Sequence, residues 1–215
     1  MSFDPDRILM VTGGQETPGW ATGSFEEGLM AFNLLDFDCP VTGLQQGSCV
    51  EGLTVAFSGP SQAEIPWGAQ SWETLTETIK SLDPQPGVLA MRGHHDHVLA
   101  DAPACLGWLD RSQRLGLEVG VALTPASMLV PAMMSNLDEH LERMFDYLGP
   151  RASVVIIEDL VEGDDGMACH SAGQGLLPGV TMGQLIDRFV PLETPVIVHS
   201  LDLESARGWL WPNMI

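Results

Sequence analysis

Three of the six histidines in this chain fall within one pentapeptide, GHHDH at residues 93–97. The pentapeptide directly follows a short apolar run, residues 87–91, whose composition is typical of a buried strand. Imidazole nitrogens and carboxylate oxygens are the ligands that zinc and similar divalent ions take in proteins. The sequence therefore favours a metal or catalytic site at the end of this strand. The alternative is a polar loop that has gathered histidines by chance.

Two other histidines stand in a similar context. His199 ends the apolar run 196–198, and His170 precedes a loop of small residues. Because the ends of neighbouring strands in an α/β sheet lie at one edge, these imidazoles are expected to meet those of His94 and His95. The expected site holds a single divalent metal ion, manganese or zinc, on these four histidines. Two alternatives stay open, namely a chain without any cofactor and structural roles for His170 and His199.

Residues 158–165 add five carboxylates directly after another apolar run. They begin a polar, glycine-rich segment that continues to residue 179. Segments that follow strands often carry function in α/β folds. The carboxylates are therefore interpreted either as acidic ligands or as a solvated loop in an already acidic protein.

Apolar runs alternate with helix-like segments along the chain, which predicts the α/β class. Strands are predicted at residues 7–11, 53–57, 87–91, 118–123, 154–157 and 196–198. Helices are predicted at residues 25–36, 71–82, 104–115, 137–148 and 181–189. The 215 residues contain no repeat and no linker, so one domain is predicted over residues 1–215.

The charge balance excludes one class of partner. The chain has 9 lysines and arginines against 29 aspartates and glutamates, and its net charge is −20. Such a surface repels phosphate backbones and anionic lipids, so neither nucleic acid nor membrane is expected to bind. A protein partner with a basic surface, or a divalent cation, fits this charge. The apolar runs are shorter than the ~20 residues that cross a bilayer, and a cytoplasmic location is expected.

Several motifs resemble those of the calcineurin-like metallophosphoesterases, in particular the bacterial serine/threonine protein phosphatase and diadenosine-tetraphosphatase-like branch. RGHHD at residues 92–96 is similar to the family's RGNH followed by an acid. HSAG at residues 170–173, followed by PGV at 178–180, resembles its HAG and PGV motifs. A strand followed by HS at 199–200 resembles its final strand and GHT, and residues 53–60 resemble its LGDxVDRGP segment.

The chain departs from that family at the metal ligands. Gly13 and Gln15 stand where the family has its first aspartate and histidine, Pro60 replaces the bridging aspartate, and Leu201 replaces the histidine of GHT. Two cations about 3.5–4 Å apart need a bridging anion, which proline cannot supply. The resemblance therefore implies a family member that has lost its dinuclear metal centre.

The resemblance implies a fold of two packed mixed β-sheets flanked by helices. A doubly wound single sheet and a small eight-fold barrel are the second and third alternatives. The implied function is binding or regulation by a divergent phosphoesterase-fold protein, with a small phosphorylated ligand. A first alternative is a metal-dependent phosphoester hydrolase in which His95 is the acid, Asp96 orients it and Arg92 clamps phosphate. A second is a structural or interaction protein with incidental histidines.

Overall fold

The computed structural model of the chain describes residues 9–12, 30–33, 53–58, 68–81, 88–163, 166–200 and 203–212. The strands are β1 (Leu9–Thr12), β2 (Met30–Asn33), β3 (Leu53–Phe57), β4 (Val88–Arg92), β5 (Val119–Leu123), β6 (Ala152–Ile157), β7 (Asp159–Gly163), β8 (Gly166–His170) and β9 (Val196–His199). The α-helices are α1 (Ala69–Lys80), α2 (Ala102–Arg114), α3 (Pro125–Met128), α4 (Leu137–Leu148), α5 (Gly179–Phe189) and α6 (Leu203–Leu210). Short 3₁₀ helices cover Pro131–Asn136 and Gly149–Arg151.

The chain divides into two compact units. The first comprises residues 1–16 and 123–215, and the second comprises residues 17–122. The expectation of one domain over residues 1–215 stays a prediction.

In the unit of residues 17–122, four parallel strands lie in the order β2-β3-β4-β5. Helix α2 begins at Asp101, whose side chain accepts a hydrogen bond from the backbone N–H of Ala104 at 2.8 Å. Such N-capping satisfies one of the otherwise free N–H groups of the first helical turn. Apolar residues of α1, β4 and α2, among them Leu75, Met91 and Trp108, are fully buried. They form the core that holds the end of β4 in place.

In the other unit, three parallel strands lie in the order β1-β9-β6, and β7 and β8 form an antiparallel hairpin. Helix α5 packs closely on α6. The contact leaves no room for a side chain at Gly179, where an added Cβ would come within 2.6 Å of the Trp209 ring. A Cβ added at Gly183 would meet the carbonyl oxygen of Leu210. Glycine at these two positions therefore sets the distance between the helices.

The strand pairings correct the predicted architecture. Within each unit every described pairing of the main sheet is parallel, and the antiparallel hairpin β7–β8 is separate from it. Parallel strands connected through helices belong to the α/β class, so that part of the prediction is confirmed. The prediction of two packed mixed sheets is wrong.

Two local predictions also fail. Residues 30–33 of the predicted helix 25–36 form strand β2, which pairs in parallel with β3 from Met30 opposite Thr54 to Asn33 opposite Phe57. Strand pairing here overrides the helical spacing of the sequence. The segment 158–179, predicted as a loop, contains the hairpin β7–β8.

The positions at which the expected phosphoesterase ligands are missing, Gly13, Gln15, Pro60 and Leu201, lie outside the described residues. None of the described helices combines the length and apolar character needed to cross a bilayer.

Candidate metal centre

The histidine pentapeptide folds back on itself directly after β4. The backbone N–H of His94 donates to the carbonyl of Leu99 at 2.9 Å, and that of His97 donates to the carbonyl of His94 at 2.9 Å. The N–H of Leu99 in turn donates to Oγ of Ser58, which follows β3, at 3.1 Å. Since β3 and β4 are paired in parallel, these bonds fasten the loop to the carboxyl ends of two adjacent strands.

The imidazoles of the loop are stacked. The His94 ring lies 4.4 Å from that of His95 at an interplanar angle of 23°. It also lies 4.4 Å from the His97 ring, which is tilted by 30° to it. The three rings thus form one contiguous aromatic group, with His94 in the middle.

Asp96 contacts two of these imidazoles. Its Oδ2 atom lies 3.2 Å from Nε2 of His95, and its backbone N–H donates to Nδ1 of His94 at 3.2 Å. The Asp96 side chain is 72 % exposed, whereas that of His95 is 26 % exposed. The cluster is therefore held from the protein side and accessible to solvent at its carboxylate.

Burial keeps two of the histidines neutral. It lowers the pKa of His94 to about 4, and the neighbouring His95 and Arg92 contribute to the same shift. Burial likewise lowers the pKa of His97 to about 3, assisted by His94 and Arg92. Both rings are therefore uncharged at neutral pH, which is the form in which imidazole binds metal.

One ligand atom each of His94, His95 and Asp96 lies within 4.8 Å of the other two. Ligands about 2.0–2.2 Å from one ion are at most roughly 4.4 Å apart, so a small contraction brings this set onto one cation. Two imidazoles and a carboxylate suit zinc and other first-row divalent ions, and they leave coordination positions open. The residues present therefore fit a divalent metal.

His94 must exchange one interaction to become a ligand. Its Nδ1 atom accepts the Asp96 N–H, which places the proton of the neutral ring on Nε2. Coordination through Nδ1 replaces this 3.2 Å bond, whereas coordination through Nε2 requires the other tautomer and loses it. Either route costs one weak hydrogen bond, so His94 is a usable ligand at a modest cost.

The other two predicted ligands lie in the unit of residues 123–215. His199 ends β9, and His170 ends β8, and both are half-buried. The N–H of Ala172 donates to the carbonyl of His199 at 2.7 Å, which joins the segment after His170 to the end of β9. Nδ1 of His170 is buried and has no hydrogen-bond partner among the described residues. Their role as ligands stays a prediction.

Arg92 was predicted as a catalytic residue together with His95 and Asp96. Its side chain is only 1 % exposed, and it lies close enough to lower the pKa of His94 and His97. The structure thus gives Arg92 an electrostatic influence on the histidine cluster. The catalytic roles of all three residues stay predictions.

Four residues were missed or misread in the sequence. His97 lies inside the pentapeptide, and its stacking on His94 depends on how the loop folds back. Ser58 was interpreted only as part of the segment 53–60 that resembles the LGDxVDRGP motif. Asp159 and its neighbour Glu158 were weighed as a solvated loop, yet they are 0 % and 1 % exposed. The available signal was their position directly after a wholly apolar strand.

Comparisons with known proteins identify the type of fold. The sequence matches no protein-family model and no curated protein. The solved structures that it resembles include an L-ribulose 3-epimerase, with 12% identity and a TM-score of 0.52 over 100% of this chain and 89% of that one. Endonuclease IV from Thermus thermophilus shares 17% identity, with a TM-score of 0.51 over 74% of this chain and 62% of its own.

A zinc-bound IolI protein is also similar, with 18% identity and a TM-score of 0.47 over 72% of this chain and 56% of that one. The chain therefore spans little more than half the length of this structure. At these identities the likenesses concern the fold alone. The epimerase and the endonuclease, which both exceed a TM-score of 0.5, show an α/β fold of the TIM-barrel type.

This finding overturns the calcineurin-like assignment. The fold is of the barrel type, which was the third alternative from the sequence. The first prediction, two packed mixed sheets as in the metallophosphoesterases, is wrong, and so is the second, a doubly wound sheet. The phosphatase-like functions inferred from that family are likewise wrong. The motifs that suggested it are short strand-end sequences, and a histidine or glycine after a strand is common to many α/β folds.

Proposed function

We propose that this chain binds one divalent metal ion through His94, His95 and Asp96 and acts on small, uncharged, polyhydroxylated molecules such as sugars. The observation that carries the proposal is the approach of three ligand atoms to within 4.8 Å of one another at the end of a parallel strand. Strand ends of this kind carry the functional residues of barrel-type folds. The neutral state of His94 at pH 7 supports it further.

The charge of the chain favours an uncharged substrate. Two of the fold relatives exceed a TM-score of 0.5, and one of them is named an endonuclease and the other an epimerase of L-ribulose. A net charge of −20 opposes binding to a phosphate backbone, and it has no such effect on a neutral sugar. The likeness to the epimerase also extends over the whole of this chain. Both arguments support a sugar-type substrate over nucleic acid.

The residues of the loop have distinct roles in this proposal. His94 and His95 supply nitrogen ligands, and the contact of His97 with His94 limits rotation of the central ring. Asp96 supplies the carboxylate that balances part of the charge of the ion, and its exposure leaves an open side for a substrate hydroxyl. If bound, a divalent ion would polarise carbonyl and hydroxyl oxygens, which would make the C–H group of the neighbouring carbon more acidic.

Metal binding is tested by calorimetric titration of the purified chain with Zn²⁺ and with Mn²⁺. We expect one ion per chain, and we expect His95→Ala and Asp96→Asn each to weaken binding by about tenfold or more, since even outer-shell changes cost this much. His140→Ala on α4 and Asp110→Asn on α2 are matched controls that should bind as the unmodified chain does. Equal affinity in all five proteins would contradict the proposed site.

The substrate class is tested by proton exchange. The metal-loaded chain is incubated in D₂O with a panel of ketoses and aldoses, and NMR follows deuterium at the carbon next to the carbonyl. We expect exchange with at least one sugar, and we expect His95→Ala to remove it. Exchange no faster than that of the His95→Ala variant, for every sugar in the panel, would overturn the assignment of a sugar substrate.

A further inference from the structure

Asp159 lies in an unusual setting for a carboxylate. It begins β7, it is 0 % exposed, and it is held by backbone groups. Its Oδ1 atom accepts from the N–H of Leu160 and from that of Leu177, each at 2.8 Å, and its Oδ2 atom accepts from the N–H of Gly175 at 2.7 Å. A charged acceptor with several N–H donors forms bonds about twice as strong as those between neutral groups.

The bonds of Asp159 close a ring in the chain. Asp159 is paired with His170 across the β7–β8 hairpin. After His170 the chain leaves the hairpin, and at Gly175 and Leu177 it returns to the Asp159 carboxylate. One residue thus holds both the beginning and the end of the segment 171–177, which we name the histidine-flanking loop.

Two further backbone bonds fasten the same loop. The N–H of Leu176 donates to the carbonyl of Leu160 at 2.9 Å, and that of Ala172 donates to the carbonyl of His199 at 2.7 Å. The loop begins at the end of β8 and is hydrogen-bonded to the end of β9. Any displacement of the loop changes the backbone on the carboxyl side of His170, whose Nδ1 atom is buried.

From these contacts we infer that Asp159 is a positioning residue, which fixes the histidine-flanking loop and thereby the setting of the His170 imidazole at the end of β8. The inference uses none of the residues of the proposed metal site. It assigns the carboxylate oxygens of Asp159 the role of internal acceptors for loop N–H groups. Two of its bonds hold the loop directly, at Gly175 and at Leu177.

Substitution by asparagine separates this role from the size of the side chain. The Asn amide has one oxygen, which replaces one of the two accepting atoms, and an NH₂ group that faces a backbone N–H in place of the other. Asp159→Asn therefore loses either the Gly175 bond or the two bonds of Leu160 and Leu177, and Asp159→Ala loses all three. Gly175→Ala displaces the loop from the opposite side, because the added Cβ would meet the carbonyl oxygen of Leu160 and would also lie 2.6 Å from Oδ1 of Asp159.

The first test is amide hydrogen exchange of the unmodified chain, followed by NMR. The amides of Gly175 and Leu177 should exchange at least about tenfold more slowly than that of Gly173 in the same loop, since each is bonded to a buried carboxylate. This measurement requires no variant. Equally fast exchange at the three positions would overturn the inference.

The second test compares variants that remain folded. In Asp159→Asn exchange at Gly175 or at Leu177, and in Gly175→Ala exchange at Leu177, should accelerate by about tenfold or more, and the ring resonances of His170 should shift. Those of His140 on α4 should not shift. Glu162→Gln, which removes an exposed carboxylate from the same strand, is the matched control and should change neither signal. Unchanged His170 resonances in both folded variants would refute the positioning role.

Discussion

The low pKa values of His94 and His97 make the stability of the fold depend on pH. The unfolded chain binds protons on these histidines below their ordinary pKa of about 6.5, whereas the folded chain leaves them neutral down to about 4 and about 3. The free energy of unfolding is therefore unaffected by these histidines above pH 6.5. It decreases as the pH falls from 6.5 towards 4, because the unfolded chain binds protons on them and the folded chain does not. The sign is the same for both residues.

The magnitude follows from proton linkage. Between pH 7.5 and pH 5.0 the lowered pKa of each histidine reduces the free energy of unfolding by about 2 kcal/mol, and the two together reduce it by about 4 kcal/mol. Both rings are only half-buried and interact with each other, so solvent screening reduces this figure to about 2 kcal/mol. We expect the double variant His94→Asn/His97→Asn to lose about 2 kcal/mol less than the unmodified chain over the same interval.

The assay is urea unfolding at pH 7.5 and at pH 5.0, followed by tryptophan fluorescence in the presence of a chelator. Many carboxylates also titrate in this range, and the comparison between proteins removes their contribution. His140→Asn, which takes an imidazole from α4, is the matched control and should retain the pH dependence of the unmodified chain. Equal losses in the double variant and in the unmodified chain, within about 0.5 kcal/mol, would refute the reasoning.

Three further predictions concern packing and reactivity. Gly183→Ala should destabilise the chain by about 1–3 kcal/mol in urea unfolding, because the added methyl meets the carbonyl of Leu210; stability equal to that of the unmodified chain would refute the close contact of α5 and α6. Phe145→Ala on α4 should lower the free energy of unfolding by about 3–5 kcal/mol in the same assay, since Phe145 is 0 % exposed. Tyr147→Ala should lower it by less than about 1 kcal/mol, and similar losses in the two variants would contradict the burial of one face of α4. Burial raises the pKa of the Cys105 thiol to about 12, so mass spectrometry should find it unmodified by iodoacetamide until urea unfolds the chain, and rapid native labelling would contradict its burial.

The sequence predicted the elements whose signals are local. Helix α4 has the predicted bounds, 137–148, because its apolar residues recur at helical spacing and a Gly-Pro pair follows it. The apolar strand at 53–57 was also predicted with its observed bounds. The loop that follows β4 was identified from residue types alone, since three histidines and an aspartate in one pentapeptide stand out in any chain.

The remainder depends on contacts between distant residues. Strand β2 forms where its residues pair with β3, and no local pattern distinguished it from a helix. The burial of Asp159 results from N–H groups 16 and 18 residues further along the chain, so its role was invisible in the sequence. The family was misassigned because short strand-end motifs carry little information about which strands are neighbours.

The central claim, that His94, His95 and Asp96 hold one divalent ion, is tested most directly by zinc K-edge X-ray absorption of the chain loaded with one equivalent of Zn²⁺. We predict two imidazole nitrogens at about 2.0–2.1 Å with oxygen ligands completing the sphere, and the loss of imidazole scattering in the double variant His94→Ala/His95→Ala. The matched variant His140→Ala should give the spectrum of the unmodified chain. A zinc sphere without imidazole, or one that is unchanged in the double variant, would contradict the claim.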